Sequence, residues 1–104
     1  MADRDLQKLS ARAREASEFL KALSHHTRLI ILCLLTEGEK TVGQLEESLD
    51  IQQAMVSQQL ARLRLDGLVL SRRDGRLVYY SVAHPDTAAL LHFLFGMFPG
   101  AQDN

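Results

Sequence analysis

The sequence has a single cysteine, Cys33, so no internal disulfide can hold the chain, and a lone thiol fits a reducing compartment. No apolar run approaches the ~18–20 residues of a membrane span. The opening Met1-Ala2-Asp3-Arg4-Asp5 lacks the apolar core of a signal peptide, so a cytoplasmic location with no membrane partner is expected. Charge of one sign is lacking as well. Twelve Lys+Arg against 13 Asp+Glu give a formal net charge of -1, so a nucleic-acid partner must be sought in where the charges sit. There is no Gly-rich phosphate loop, no metal-ligand cluster and no spaced Ser/His/Asp or Cys/His set; an enzyme is therefore not expected, and no cofactor is implied. What is present, 104 residues with 46% apolar and 24% charged side chains, suits one globular domain over residues 1–104 with a modest core.

Hydrophobic spacing divides the chain into helices followed by a hairpin. Leu6, Leu9, Ala13, Ala16, Leu20 and Leu23 form an apolar stripe on a first helix. Ser24-His25-His26-Thr27 interrupts it. Arg28 to Thr36 is apolar all round, as expected of a central core helix, and Gly38 stops it. Thr41-Val42-Gly43-Gln44 has the capping-box pattern and opens a short helix with Val42, Leu45 and Leu49 inward. Another helix runs from about Gln53 to Leu65 and closes at Gly67. The β-prone runs Leu68–Leu70 and Leu77–Val82, joined through Asp74-Gly75, predict a hairpin over about 68–82. A last helix is predicted from about Asp86 to Phe98, and it is too apolar for the surface of a small monomer. The expected architecture is mainly α with a β-hairpin wing, in the order α-α-α-α-β-β-α.

The segment from about 41 to 65 has the form of a helix-turn-helix. On its second helix Val56, Leu60 and Leu63 share the core arc. Ala54, Ser57, Gln58 and Ala61 lie opposite, with Gln53 and Arg62 at the edges. Small groups allow close approach to a DNA major groove, and amides can pair bidentately with adenine edges. The bland alternative, a solvated polar face, would usually carry Lys and Glu, which this face lacks. From Arg62 to Arg76 there are five arginines (Arg62, Arg64, Arg72, Arg73, Arg76) against Asp66 and Asp74, so positive charge gathers on the reading helix and the hairpin. Arginines at a hairpin tip can grip phosphates or enter a minor groove; the alternative is an edge hairpin protected by charge. Gln53, Ala54, Ser57 and Gln58 are thus candidates for base edges, Arg62 for a phosphate, and Arg72, Arg73 and Arg76 for the backbone or minor groove. A winged-helix module that binds protein instead of DNA is the rival class.

The chain resembles the ArsR family of winged helix-turn-helix repressors over nearly its whole length. The resemblance is carried by Lys21-Ala22-Leu23-Ser24, Thr27-Arg28-Leu29-Ile30-Ile31-Leu32, Val42-Gly43-Gln44-Leu45, Gln53-Ala54-Met55-Val56-Ser57-Gln58-Gln59-Leu60, Leu63-Arg64, Gly67-Leu68-Val69 and Arg72-Arg73-Asp74-Gly75-Arg76-Leu77-Val78-Tyr79-Tyr80. It implies a homodimer built from the first and last helices that binds an imperfect inverted repeat as a repressor. The chain departs from the family pattern where a small polar cap usually stands (Gln52), where Ser is usual (Ala54), where His is usual (Gln59), and where Asp-Pro or Asn-Pro is common (His25-His26). A weaker cap on the reading helix follows.

The resemblance also frames the search for a sensor. Metal-sensing members place a Cys-Val-Cys run where this chain has Thr41-Val42-Gly43, so the soft-metal site is absent. A second family site draws carboxylate and imidazole ligands from the last helix. His84, Asp86 and His92 occur here, but Asp86 and His92 lie six apart and do not share a helix face, and metal-independent action is expected. Cys33 is either a small apolar filler or the remnant of a thiol sensor. Persulfide- and oxidant-sensing relatives pair this cysteine with a second near the end of the last helix, where this chain reads Gly96-Met97-Phe98-Pro99. An intrachain bridge is impossible; modification of the single thiol, or a bridge to the other subunit, survives as the switch.

Overall fold

The computed structural model describes residues 2–100. Helix α1 (Asp3–Leu23) is followed by α2 (His26–Thr36), β1 (Lys40–Thr41), α3 (Val42–Leu49), α4 (Gln53–Leu65), β2 (Val69–Asp74), β3 (Leu77–Val82) and α5 (Pro85–Gly96). The three strands form one antiparallel sheet in the order β1-β3-β2. The expected helices and hairpin are all present. Strand β1 is an addition: it has two residues, pairs Lys40 with Tyr80 and Thr41 with Tyr79, and is too short to show alternation in sequence.

Eleven buried side chains make the core: Leu23 from α1, Ile31, Leu32 and Leu35 from α2, Leu45 from α3, Val56, Leu60 and Leu63 from α4, Leu68 and Val69 at the wing's start, and Leu91 from α5. Helix α2 is not enclosed on every side, as its composition suggested. Leu29, Ile30, Cys33 and Leu34 are half-buried, because α5 covers that flank only in part. The helix also begins two residues earlier than expected, at His26, since histidine and threonine are tolerated in a first turn.

The outer helices behave differently. Helix α1 has 21 residues and at about 1.5 Å per residue extends about 31 Å. Phe19, Ala22 and Leu23 meet the body, whereas residues 2–18 are exposed along their whole length. The radius of gyration is accordingly 16.2 Å, against about 13 Å for a compact hundred-residue domain. Of the predicted stripe, Leu23 alone is buried; Leu6, Leu9 and Leu20 are each about half exposed. Helix α5 stops at Gly96, two residues before the predicted end, and Leu90, Phe93, Phe95, Met97 and Phe98 remain exposed. Among the described residues no single helix is long and apolar enough to cross a membrane.

Two local devices place the helix-turn-helix and the wing. The capping box on α3 forms as predicted: the Gln44 amide donates to Thr41 Oγ1 at 3.1 Å, and the Thr41 amide donates to Gln44 Oε1 at 2.9 Å. Helix α4 ends in a Schellman motif. The Gly67 amide donates to the Arg64 carbonyl at 3.0 Å and the Leu68 amide to the Leu63 carbonyl at 2.9 Å, with Gly67 left-handed at φ 77°. Leu63 and Leu68, the pair that such a motif brings together, are both buried. The wing therefore leaves α4 without a linker.

A Cβ at Gly67 would touch nothing, so its cost is conformational alone. Gly67→Ala is expected to lower unfolding free energy by about 1–2 kcal/mol, with Gly67→Asn costing less because asparagine tolerates the left-handed region. Denaturant unfolding checks this; an alanine variant as stable as the parent would show that the junction is not held by this conformation.

Candidate nucleic-acid interface

Helix α4 presents its predicted faces. Val56, Leu60 and Leu63 are fully buried, while Gln53, Ala54, Ser57, Gln58, Ala61 and Arg62 are all exposed. One edge of the helix thus anchors in the core and the opposite edge offers short side chains and an amide. Gln52 occupies the cap position without a side-chain hydrogen bond, the weak cap expected from its identity. The first-turn N–H groups are left without a side-chain acceptor, at the end of the helix where the dipole favours an anion. Gln59, adjacent to Gln58 in sequence, points elsewhere: it is half-buried and accepts a 2.8 Å hydrogen bond from Arg28 Nε.

The arginines fall into two groups. Arg62 Nε lies 3.3 Å from Asp66 Oδ2, one turn on along α4. Arg72 is engaged by Glu39, by Tyr79 and, at 4.0 Å from Nη1, by Asp74 Oδ2. Its Nε donates to Glu39 Oε2 at 2.8 Å and its Nη2 to Glu39 Oε1, a two-pronged ion pair, and its guanidinium lies 4.5 Å from the ring centroid of Tyr79, its direct cross-strand partner. The Arg72 guanidinium donates to the Glu39 carboxyl and holds it below the usual carboxylate range, and the carboxylate in turn raises Arg72. Arg73 and Arg76 are exposed, and among the described residues no ion pair engages either of them. Register places Arg73 opposite Val78, on the face of the hairpin away from Arg72. Arg76 is in the two-residue turn, after Gly75 at φ 64°, a conformation that glycine adopts freely.

Sequence reasoning placed Arg72, Arg73 and Arg76 together at the wing, and the structure brings the three into one hairpin while dividing their surroundings. No local pattern points to Glu39, which lies 33 residues from Arg72, across a strand too short to predict. The Arg28–Gln59 contact was equally out of reach, since no local pattern joins helices α2 and α4.

Cys33 lines an open groove of about 630 Å³ between α2 and α5, with Thr36, Ala88, Leu91, His92 and Phe95. Burial pushes its thiol above the ordinary value, and the nearby Glu37 carboxylate pushes it the same way. His84 caps α5: its Nδ1 accepts from the Asp86 amide at 3.2 Å and lies 3.6 Å from Asp86 Oδ2. Among the described residues no group of three or more His, Cys, Asp or Glu is arranged to hold a metal ion.

A helix-turn-helix with an exposed, amide-bearing second helix and an arginine-tipped hairpin is the arrangement of a winged helix-turn-helix DNA-binding protein. Comparison with known proteins agrees. A family model described as "Bacterial regulatory protein, arsR family" matches residues 25–71. The Biofilm growth-associated repressor of Agrobacterium fabrum is 39% identical over 99 residues, 95% of this chain and 85% of that protein. The Transcriptional activator HlyU of Vibrio cholerae is 35% identical over 94 residues, 90% of this chain and 87% of that one. The crystal structure of the transcriptional repressor BigR from Xylella fastidiosa is similar with a TM-score of 0.80 at 37% identity, covering 93% of this chain and 98% of that chain. The chain belongs to the ArsR family: it is a DNA-binding transcriptional regulator and not an enzyme.

The raised thiol has a measurable consequence. Cys33 should react with iodoacetamide at neutral pH more slowly than a free thiol of ordinary pKa ~8.5, because burial and Glu37 disfavour its thiolate. Its rate should rise with pH through a midpoint above that value, and Glu37→Gln should move the midpoint down. A neutral-pH rate equal to that of free cysteine would contradict the environment described.

Proposed function

We propose that the chain is a metal-independent repressor that acts as a homodimer in the cytoplasm, with residues 1–104 forming one DNA-binding domain on an imperfect inverted repeat. The observation that carries this reading is the outward edge of α4, where Ala54 and Ala61 allow close approach and Ser57 and Gln58 offer hydrogen-bonding groups. Gln53, Ala54, Ser57 and Gln58 meet base edges in the major groove, and Arg62 meets a phosphate after exchanging its Asp66 partner. Arg73 and Arg76 hold the backbone or the minor groove from the wing. Arg72 supports them by bracing the hairpin on Glu39 and Tyr79, and it reaches the backbone itself if the ion pair opens.

The uncovered apolar side chains of α1 and α5 support the dimer. Leu6, Leu9 and Leu20 on α1 and Leu90, Phe93 and Phe95 on α5 are large apolar side chains left exposed in the single chain, and a second copy would cover them. A two-fold pair of reading helices matches two half-sites in inverted orientation, which is why dimer and inverted repeat stand together. Repression is favoured over activation by the names of the relatives in Agrobacterium and Xylella, although the relative in Vibrio cholerae is called an activator. Cys33 is best read as a groove-lining apolar side chain, because a thiol with a raised pKa is a slow nucleophile.

Fluorescence anisotropy with DNA from upstream of the chain's own gene tests the proposal. Gln58→Ala is expected to weaken binding to the cognate duplex by about 1–3 kcal/mol while leaving non-specific binding nearly intact. Affinity should fall steeply with salt, as phosphate contacts release counterions and a protein–protein module does not. Phe93→Glu, at a position that is 70% exposed, should yield folded monomers with weak DNA binding. Equal loss on both kinds of DNA would remove Gln58 from base contact, and a Phe93→Glu chain that stayed dimeric would refute the interface.

A further inference from the structure

Arg28 occupies the first turn of α2, where the helix dipole favours acidic side chains and disfavours a cation. Its placement is explained by what the fork reaches. Nη1 donates to the Ala22 carbonyl, near the C-terminal end of α1, at 3.2 Å, while Nε donates to Gln59 Oε1 on α4 at 2.8 Å. Both contacts are partly buried, and one guanidinium thus spans three helices. Because arginine only donates, the Gln59 amide must turn its oxygen toward Arg28. Two neighbouring glutamines therefore differ: Gln58 is exposed at the surface, and Gln59 is tied to Arg28.

We propose that Arg28 is a positioning residue for base recognition: by fastening Gln59 to the end of α1, it sets the rotation at which α4 presents Ser57 and Gln58. The inference rests on the base-reading role given to α4 above. Phosphate contacts by flexible arginines tolerate a small rotation of the helix, whereas a bidentate amide pair with a base edge does not. Loss of the tie should therefore be felt in discrimination between sequences more than in affinity for DNA as such. Lysine at this position keeps the charge but lacks the planar fork, so it cannot reproduce both bonds in this geometry.

The test compares the upstream duplex with a scrambled duplex of the same composition. It uses the wild-type chain, Arg28→Lys, Gln59→Met and the double variant, with thermal unfolding and oligomeric state measured alongside. Each single variant should lose about tenfold on the upstream duplex and less than about twofold on the scrambled one, and the double variant should be no worse than the weaker single. The Arg28 Nε–H resonance should be protected from exchange in the wild type and lose that protection in Gln59→Met, with no DNA present. Retained discrimination in both single variants, equal loss on both duplexes, or additive losses would each overturn the proposal while leaving the DNA-reading role of α4 standing. A wild-type chain that fails to discriminate the two duplexes would overturn both. Gln59→Met keeps the test decisive if Arg28→Lys does not fold.

Discussion

Helix α4 and the wing work from one rigid junction because the chain reverses at Gly67 in a left-handed conformation and enters β2 immediately. The Schellman bonds from Gly67 and Leu68 close the last turn of α4, and the same turn brings Leu68 beside Leu63 in the core. The outward edge of α4 and the arginines of β2 are consequently fixed by the same buried side chains. Any conformational change that tilts α4 must carry the root of the wing with it. A longer or more flexible connection would leave the two elements proposed to meet DNA to find their places separately, at an entropic cost on binding.

Electrostatics in the wing follows from how its register distributes the charges. Directly opposite pairing puts Arg72 over Tyr79, and the short strand β1 brings Glu39 to the same side, so one arginine is consumed in holding the hairpin against the body. Arg73 and Arg76, on the other face and in the turn, keep their charge for a partner. The pair with Glu39 is exposed and contributes orientation more than stability. A nearly neutral protein thereby shows a local cationic edge, which bulk composition hid.

The parts of this design that were legible in the sequence are those governed by local rules. Thr41 and Gln44 announced their capping box, the spacing of Val56, Leu60 and Leu63 gave the buried edge of α4, and the β-prone runs flanking Asp74-Gly75 gave the hairpin. What escaped has a common cause. Strand β1 is two residues long and exists because β3 offers an edge; the Glu39–Arg72 and Arg28–Gln59 pairs join residues about thirty apart. Such contacts are set by tertiary packing, on which local pattern is silent. The apolar stripe on α1 is buried only at Leu23, and the helix meets the body through Leu23 together with Phe19 and Ala22, which lie outside the stripe.

Whether α4 and the tip of the wing meet DNA, as proposed, is read by an amide NMR titration of the labelled protein with the upstream duplex. The largest shift changes are expected on Gln53 to Arg62 and on Arg73 to Arg76, with the groove around Cys33 little affected. Perturbations centred on that groove or on α5, with the outward edge of α4 unmoved, would contradict the proposal.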